Sequence, residues 1–241
     1  MNPKRTAVLL LLALLALPLV PAQATGPINR DIAEFTARTL DYMPEAARAR
    51  TDSLVVGVSD LPGETNPFFV KTSGDDALAS LLYDELLFVN NKGEWGDGVA
   101  VIAFSNNNRT YTFTVRDSVR YPDGSPVTSD DFINALYLLL MPGYDGAYDL
   151  SRAGIVGVSD YLSGESASIA GIRRVSDSAF SVTTATGNPN NLAYFAIPAL
   201  RVSLFGQMQR PETLDAADDF ALFYQQTLAR VREADASQMA Y

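Results

Sequence analysis

Hydrophobic residues recur along the chain at two spacings, and each spacing predicts one kind of secondary structure. Residues 53–60, "SLVVGVSD", are a compact run rich in β-branched residues, which is typical of a buried strand. Residues 106–117, "NNNRTYTFTVRD", begin with a turn and then alternate, so that Tyr111, Phe113 and Val115 point to one side. This alternation predicts a second strand with one buried face.

Other stretches have the spacing of amphipathic helices. Residues 73–89 begin with Ser73 as a potential cap and Asp76 three positions later, and residues 214–234 close the chain with a further helical pattern. The residues expected on the buried faces are Leu78, Leu81, Leu82 and Leu86 in the first helix, Phe132, Ile133, Leu136, Tyr137 and Leu140 in a helix between them, and Phe220, Phe223, Tyr224, Leu228 and Val231 in the last.

The middle helix has the most specific start. Residues 122–126, "PDGSP", contain the turn-forming pair Asp-Gly, and Thr128 followed by Asp131 is a capping-box pattern. Residues 141–143, "MPG", should end this helix. Residues 90–100 are a predicted loop or hairpin, and residues 169–185 a predicted hairpin turning at 176–178. Residues 190–200 are a predicted short helix.

The N-terminus has the pattern of a secretory signal peptide, residues 1–24. Lys4 and Arg5 precede an apolar run over 7–20, and residues 22–24, "AQA", match a cleavage site. The run is shorter than the roughly 20 residues of a spanning helix, which disfavours a membrane anchor. Residues 25–52 have helical spacing up to Pro44 and predict a short helical leader.

Composition excludes several kinds of function. The formal charge is −10, and loss of the two signal cations makes it more negative, which disfavours binding to nucleic acid or anionic membranes. The chain has no cysteine, so it has no disulfide, no thiol catalysis and no lipid attachment at a cysteine.

The candidate chemistry for an enzyme is weak. The chain has no histidine to act as the base of a hydrolytic triad, and a zinc site would need carboxylates alone. The carboxylate pairs fall at predicted helix starts, where helix capping explains them more simply than catalysis. These pairs are Asp75-Asp76, Asp130-Asp131 and Asp218-Asp219. We therefore expect no enzyme activity, no metal and no cofactor.

Residues 111–136, "YTFTVRDSVRYPDGSPVTSDDFINAL", resemble the signature of the family 5 extracellular solute-binding proteins, the peptide- and nickel-binding components of ABC importers. The similarity extends in order over about residues 53–205. The matching signature positions are Phe113, Val115, Arg116, Asp117, Val119, Tyr121, Asp123, Gly124, Pro126, Val127, Thr128, Asp130, Asp131 and Phe132.

The resemblance implies an α/β fold, with a mixed sheet and flanking helices, forming one lobe like those of type II periplasmic binding proteins. In the family a second lobe comes later in the chain, and residues 206–241 contain only an amphipathic helix that does not align. The resemblance therefore implies a truncated chain whose second lobe is missing.

The resemblance also implies a ligand site on the loop that follows the first strand. The candidate contacts are Ser59, Asp60, Asn66, Phe68 and Phe69, with backbone and apolar contacts to an extended ligand. For Phe68 and Phe69 the alternative is packing in the core or between lobes.

The function that the resemblance implies is an exported substrate-binding protein of an ABC transporter, in the periplasm or outside the cell. Its partners would be oligopeptides or similar small solutes and a membrane permease, and not nucleic acid. The alternative is a single-lobe structural or interaction module that pairs with another polypeptide, or with itself through an exposed half cleft, or a non-functional gene fragment that binds no solute alone.

Overall fold

The structure is a computed structural model that describes residues 45–50, 52–53, 55, 57–58, 60–90, 92–105, 107–214, 217–234 and 239. The predicted signal peptide and the predicted leader helix up to Pro44 lie outside the described residues. Directly after Pro44 lies a short helix, α1 (Glu45–Arg48). None of the described helices is long and apolar enough to cross a bilayer.

A four-stranded sheet forms the centre of the described fold. Its strands are β3 (Ala100–Phe104), β4 (Thr110–Val115), β5 (Ile172–Arg174) and β6 (Ala179–Thr183), in the spatial order β3-β4-β6-β5. Every pairing in it is antiparallel. The predicted α/β class is confirmed, whereas the described strands do not include the parallel pair that a mixed sheet needs.

A separate hairpin pairs β1 (Leu87–Val89) with β2 (Trp95–Asp97), also antiparallel. It agrees with the loop or hairpin predicted over residues 90–100, but its first strand lies in residues 87–89, which were predicted as helix. The second predicted hairpin is β5–β6, and it turns at residues 176–178 as the sequence indicated.

The alternation predicted for β4 is confirmed, because Tyr111, Phe113 and Val115 are buried while the threonines between them are half-buried. Phe113 stacks on Phe180 of β6 at 5.1 Å between ring centroids and meets Phe195 edge-on at 5.7 Å. These rings join the sheet to the helices in a single apolar core.

The capping box predicted for the middle helix, α3 (Ser129–Leu139), is present. The Thr128 N–H donates to Asp131 Oδ2 at 2.8 Å, and the other oxygen of Asp131 accepts from the Val202 N–H at 2.7 Å. The capping carboxylate therefore also fixes the start of α5 (Val202–Phe205). Gly143, with a φ of 88°, lies beyond the end of α3.

The prediction of a buried strand over residues 53–60 is wrong for the described residues of that segment, none of which is in a strand. Val55 and Val58 are 67% and 43% exposed. A β-branched run becomes a strand only where a neighbouring strand accepts its hydrogen bonds, and no described strand pairs with this segment.

The first long helix, α2 (Ser73–Leu82), differs from its prediction at both ends. Its N-cap is Thr72, whose side chain accepts from the Asp75 N–H, and not Ser73. It ends before Leu86, and Leu81 is 80% exposed. The buried side of α2 consists of Gly74, Asp75 and Ala79. Of the predicted leucines, Leu78 is half-buried and Leu86, beyond the helix, is buried, whereas Leu81 and Leu82 are exposed.

The remaining elements are short, apart from the last helix. They are a 3₁₀ helix Leu150–Ala153, α4 (Val158–Ser163), a 3₁₀ helix Pro189–Phe195 and α6 (Ala217–Arg232). Tyr224, Leu228 and Val231 of α6 are buried as predicted, while Phe220 and Phe223 are half-buried.

Candidate functional site

The structure describes four of the five predicted ligand contacts. Asp60 is exposed, whereas Asn66 is 2% exposed and Phe68 and Phe69 are buried. Ser59 lies outside the described residues. The four lie on one loop, but three of their side chains are enclosed by the protein.

Asn66 fixes the loop to the last helix. Its Oδ1 accepts from the Phe68 N–H at 3.2 Å, which closes a local turn, and its Nδ2 donates to the Val231 carbonyl at 2.7 Å. Val231 lies in the last turn of α6, where carbonyls have no partner within the helix. The Asn66 amide therefore satisfies one of the C-terminal carbonyls of α6.

The two phenylalanine rings point into the protein. Phe68 lies 6.2 Å from the Tyr148 ring and Phe69 lies 5.7 Å from the Tyr144 ring, both measured between centroids. The Phe68 carbonyl accepts from the Tyr144 hydroxyl at 2.6 Å, and burial raises the pKa of Tyr144 well above its usual range. In this structure the rings pack in the core and present no surface to a ligand.

Pro67 and Val70 of the same loop are also buried, and they line a cavity of about 180 Å³ against α2. A second, shallower cavity of about 470 Å³ lies beside the first, with Val70 and Asp76 lining both. We call the two together the loop groove. Its lining residues are Pro67, Val70, Lys71, Thr72, Ser73, Asp76, Ala79, Ser80, Tyr83, Glu85, Leu87, Phe88, Asp145, Gly146, Ala147, Tyr148 and Pro198.

The two cavities of the loop groove differ in their charged residues. Asp76 and Glu85 line the first cavity, whose described lining contains no lysine or arginine. The second cavity contains Lys71 and Asp145, with 3.1 Å between Lys71 Nζ and Asp145 Oδ2, and Arg232 contacts Asp145 from outside the described lining. Hydrogen bonds from Lys71 and then from Arg232 hold the pKa of Asp145 below its usual range.

Glu85 occupies a rigid position. The Leu86 N–H donates to the Ile197 carbonyl at 2.9 Å, and the Tyr148 hydroxyl donates to Glu85 Oε1 at 3.2 Å. A Cβ on Gly98 would lie 2.5 Å from the Glu85 carbonyl oxygen, so only glycine fits there without displacing the backbone. The position of Glu85 is thus fixed by contacts with three segments that are distant in sequence, at Ile197, Tyr148 and Gly98.

Sequence reasoning identified the loop but missed the residues that form the loop groove. Glu85, Asp145, Tyr148 and Pro198 lie in no motif, and only their spatial convergence marks them. Among the described residues, no group of three or more potential carboxylate, histidine or cysteine ligands could hold a metal ion.

Comparisons with known proteins define the class. The profile of the bacterial extracellular solute-binding proteins, family 5, middle region, matches residues 100–223. This match covers half of the chain, and the chain belongs to this family.

Two curated relatives are similar over a shorter stretch. The periplasmic murein peptide-binding protein MppA of Escherichia coli is 35% identical over 94 residues, which are 39% of this chain and 18% of MppA. The oligopeptide-binding protein OppA of Bacillus subtilis is 31% identical over 97 residues, which are 40% of this chain and 18% of OppA. The matched region thus spans about a fifth of the length of these relatives.

Solved structures agree in fold. The Escherichia coli murein tripeptide binding protein MppA superposes with a TM-score of 0.52 at 27% identity, covering 61% of this chain and 30% of MppA. Haemophilus influenzae OppA, in complex with the peptide RPPGFSPFR, gives a TM-score of 0.52 at 22% identity and covers 60% of this chain and 30% of OppA. The expected periplasmic-binding-protein-like fold is confirmed over this part of the chain.

Proposed function

We propose that the chain is an exported substrate-binding component of an ABC importer that binds oligopeptides through the loop groove. The observation that carries the proposal is a groove lined by Glu85 in one cavity and by the Lys71–Asp145 ion pair in the other, on a member of a solute-binding family. An extended peptide has apolar side chains and opposite charges at its two ends, and it fits such a groove. The proposed place of action is the periplasm or the cell exterior, with a membrane permease as the partner.

The predicted roles of Ser59, Asp60, Asn66, Phe68 and Phe69 in ligand binding stay a prediction. We assign the contact of this loop with peptide to the exposed Asp60, to the loop backbone and to Pro67 and Val70 in the groove wall. The buried Asn66 and the two rings would then shape the wall without touching the peptide.

The test is calorimetry of the purified chain with a pool of di- to pentapeptides. The Ser80→Tyr variant places a ring in the groove from an exposed position of α2 and should abolish the binding heat. Ala77→Tyr is the matched control, since Ala77 is exposed on the same helix outside the groove. Peptide binding that survives Ser80→Tyr would reject the groove, and no binding by the unaltered chain would reject the function for this chain.

A second candidate is self-association through the surface beside the groove. Leu81 and Leu82 of α2 are exposed, and exposed apolar patches often mark interfaces. Light scattering would then give a dimer that Leu81→Asp converts to a monomer, whereas a monomeric unaltered chain would reject this candidate.

A further inference from the structure

The first cavity of the loop groove, of about 180 Å³, has side chains that suit a bound cation. Its walls combine polar and apolar surface in nearly equal parts, and the charged side chains among its described lining residues are two carboxylates, Asp76 and Glu85. Tyr83 and Tyr148 add aromatic rings to the lining, and aromatic rings attract cations through their negative faces. The apolar residues are Pro67, Val70, Ala79, Leu87, Phe88 and Pro198.

The carboxylate of Glu85 is held in position before any ligand binds. Glu85 is half-buried, its backbone pairs with Pro198 and accepts from the Val99 N–H at 3.3 Å, and its carboxylate accepts a hydrogen bond from the Tyr148 hydroxyl. Tyr148 is connected to the loop through Tyr144. The Tyr148 N–H donates to the Tyr144 hydroxyl at 3.4 Å, and this hydroxyl donates to the Phe68 carbonyl. A charge held in a half-buried site interacts with an opposite charge more strongly than one in bulk water does.

The size of the pocket limits its occupant. A water molecule needs only about 10–15 Å³, whereas sites for whole drug-sized ligands occupy about 300–1,000 Å³. The first cavity, at about 180 Å³, lies between these values. It accommodates one side chain and not a whole peptide.

We infer that this pocket selects peptides with a cationic side chain on an apolar stem, such as lysine, whose ammonium group meets Glu85 and Asp76. The inference rests on the proposed peptide-binding function and adds the substrate class to it. The stem packs between Ala79, Val70 and Pro198, and the charged head lies at the Glu85 end.

The test compares three tripeptides that differ only in the middle residue: Ala-Lys-Ala, Ala-norleucine-Ala and Ala-Glu-Ala. We expect the lysine peptide to bind about tenfold more tightly than the norleucine peptide, as for one charge-assisted contact, and the glutamate peptide to bind most weakly. Glu85→Gln keeps the acceptor for Tyr148 and should reduce the lysine preference to about threefold or less. Glu212→Gln, an exposed carboxylate outside the groove, is the control for net charge and should leave the preference intact.

The outcomes separate the inference from the proposed function. Peptides that bind with a lysine-to-norleucine ratio near one would overturn the inference and leave the function standing. If no peptide binds, the function fails for this chain, and n-butylammonium then decides the inference. Shifts of the Tyr148 NMR signals with n-butylammonium but not with n-butanol, lost in Glu85→Gln, would support the pocket, and equal or absent shifts would overturn it.

Discussion

Replacement of Asn66 by alanine tests whether this predicted ligand residue has a structural role. The side chain makes two buried hydrogen bonds, a donation to the Val231 carbonyl at 2.7 Å and an acceptance from the Phe68 N–H at 3.2 Å. Asn66→Ala removes both, and neither backbone group is exposed enough for water to replace the amide fully. The Val231 carbonyl still accepts from the Ala234 N–H at 3.3 Å, so the main cost comes from the Phe68 N–H. A buried polar group left without its partner costs about 1–3 kcal/mol.

The expected loss in the free energy of unfolding is about 1–3 kcal/mol, because one buried donor loses its partner while the Val231 carbonyl keeps its longer bond. The free energy of unfolding of a domain is only about 5–15 kcal/mol, so this change is large. Urea denaturation measures it as a lower midpoint at an unchanged slope. Asn66→Asp keeps the acceptor for Phe68 but places a carboxylate against the Val231 carbonyl, so it should be at least as destabilising.

Gln226→Ala is the control, since Gln226 is exposed on α6 and its change should stay within about 0.5 kcal/mol. A loss below about 0.5 kcal/mol for Asn66→Ala would refute the structural role. If that variant also lost peptide binding, Asn66 would be a ligand contact, as the family resemblance implies.

Three further predictions concern the core, the groove and pH. Phe113→Ala should lower the free energy of unfolding by about 3–5 kcal/mol, measured in urea, because the buried ring packs against two others; a loss below 1 kcal/mol would contradict the packing. Gly98→Ala should push back the Glu85 carbonyl and weaken lysine-peptide binding, measured by calorimetry, and unchanged affinity would contradict the close approach. Hydrogen bonds from Lys71 and a neighbouring arginine lower the pKa of Asp145 in the folded chain. The contribution of Asp145 to stability is therefore present above its unfolded pKa of about 3.9 and is lost as the pH falls through its lower folded pKa. An NMR titration midpoint at or above about 3.9 would contradict this.

The parts of the fold that sequence predicted best are those determined by neighbours in the chain. The alternation of β4 and the capping box of α3 depend on contacts within a few residues, and both are confirmed. The buried face of α6 was also visible, because Tyr224, Leu228 and Val231 follow helical spacing.

The parts that sequence missed depend on distant segments. Residues 53–60 have the composition of a strand, but a strand also needs a partner, which periodicity does not reveal. In α2 the small residues Gly74 and Ala79 are buried instead of the leucines, since a Cβ on Gly74 would lie 1.8 Å from the Asp60 carbonyl oxygen. This close approach of two backbones selects for small size, which a pattern of hydrophobicity does not record.

The candidate site likewise combines a part that the sequence predicted with a part that depends on distant segments. The family resemblance directed attention to the loop with Asn66 and Phe68, whereas the groove wall combines that loop with Glu85, Tyr148 and Pro198. These residues come together only because Glu85 pairs with Pro198 and the Tyr148 hydroxyl reaches Glu85. No short-range pattern encodes such a convergence.

The most direct test of the account is thermal unfolding of the purified chain with and without a saturating di- to pentapeptide pool. A ligand that binds only the native state at 100 times its Kd stabilises it by about 2.7 kcal/mol, so the account predicts a clear rise in the unfolding midpoint. The rise should vanish in Ser80→Tyr and persist in Ala77→Tyr. A cooperative transition that no peptide shifts would contradict peptide binding by this chain.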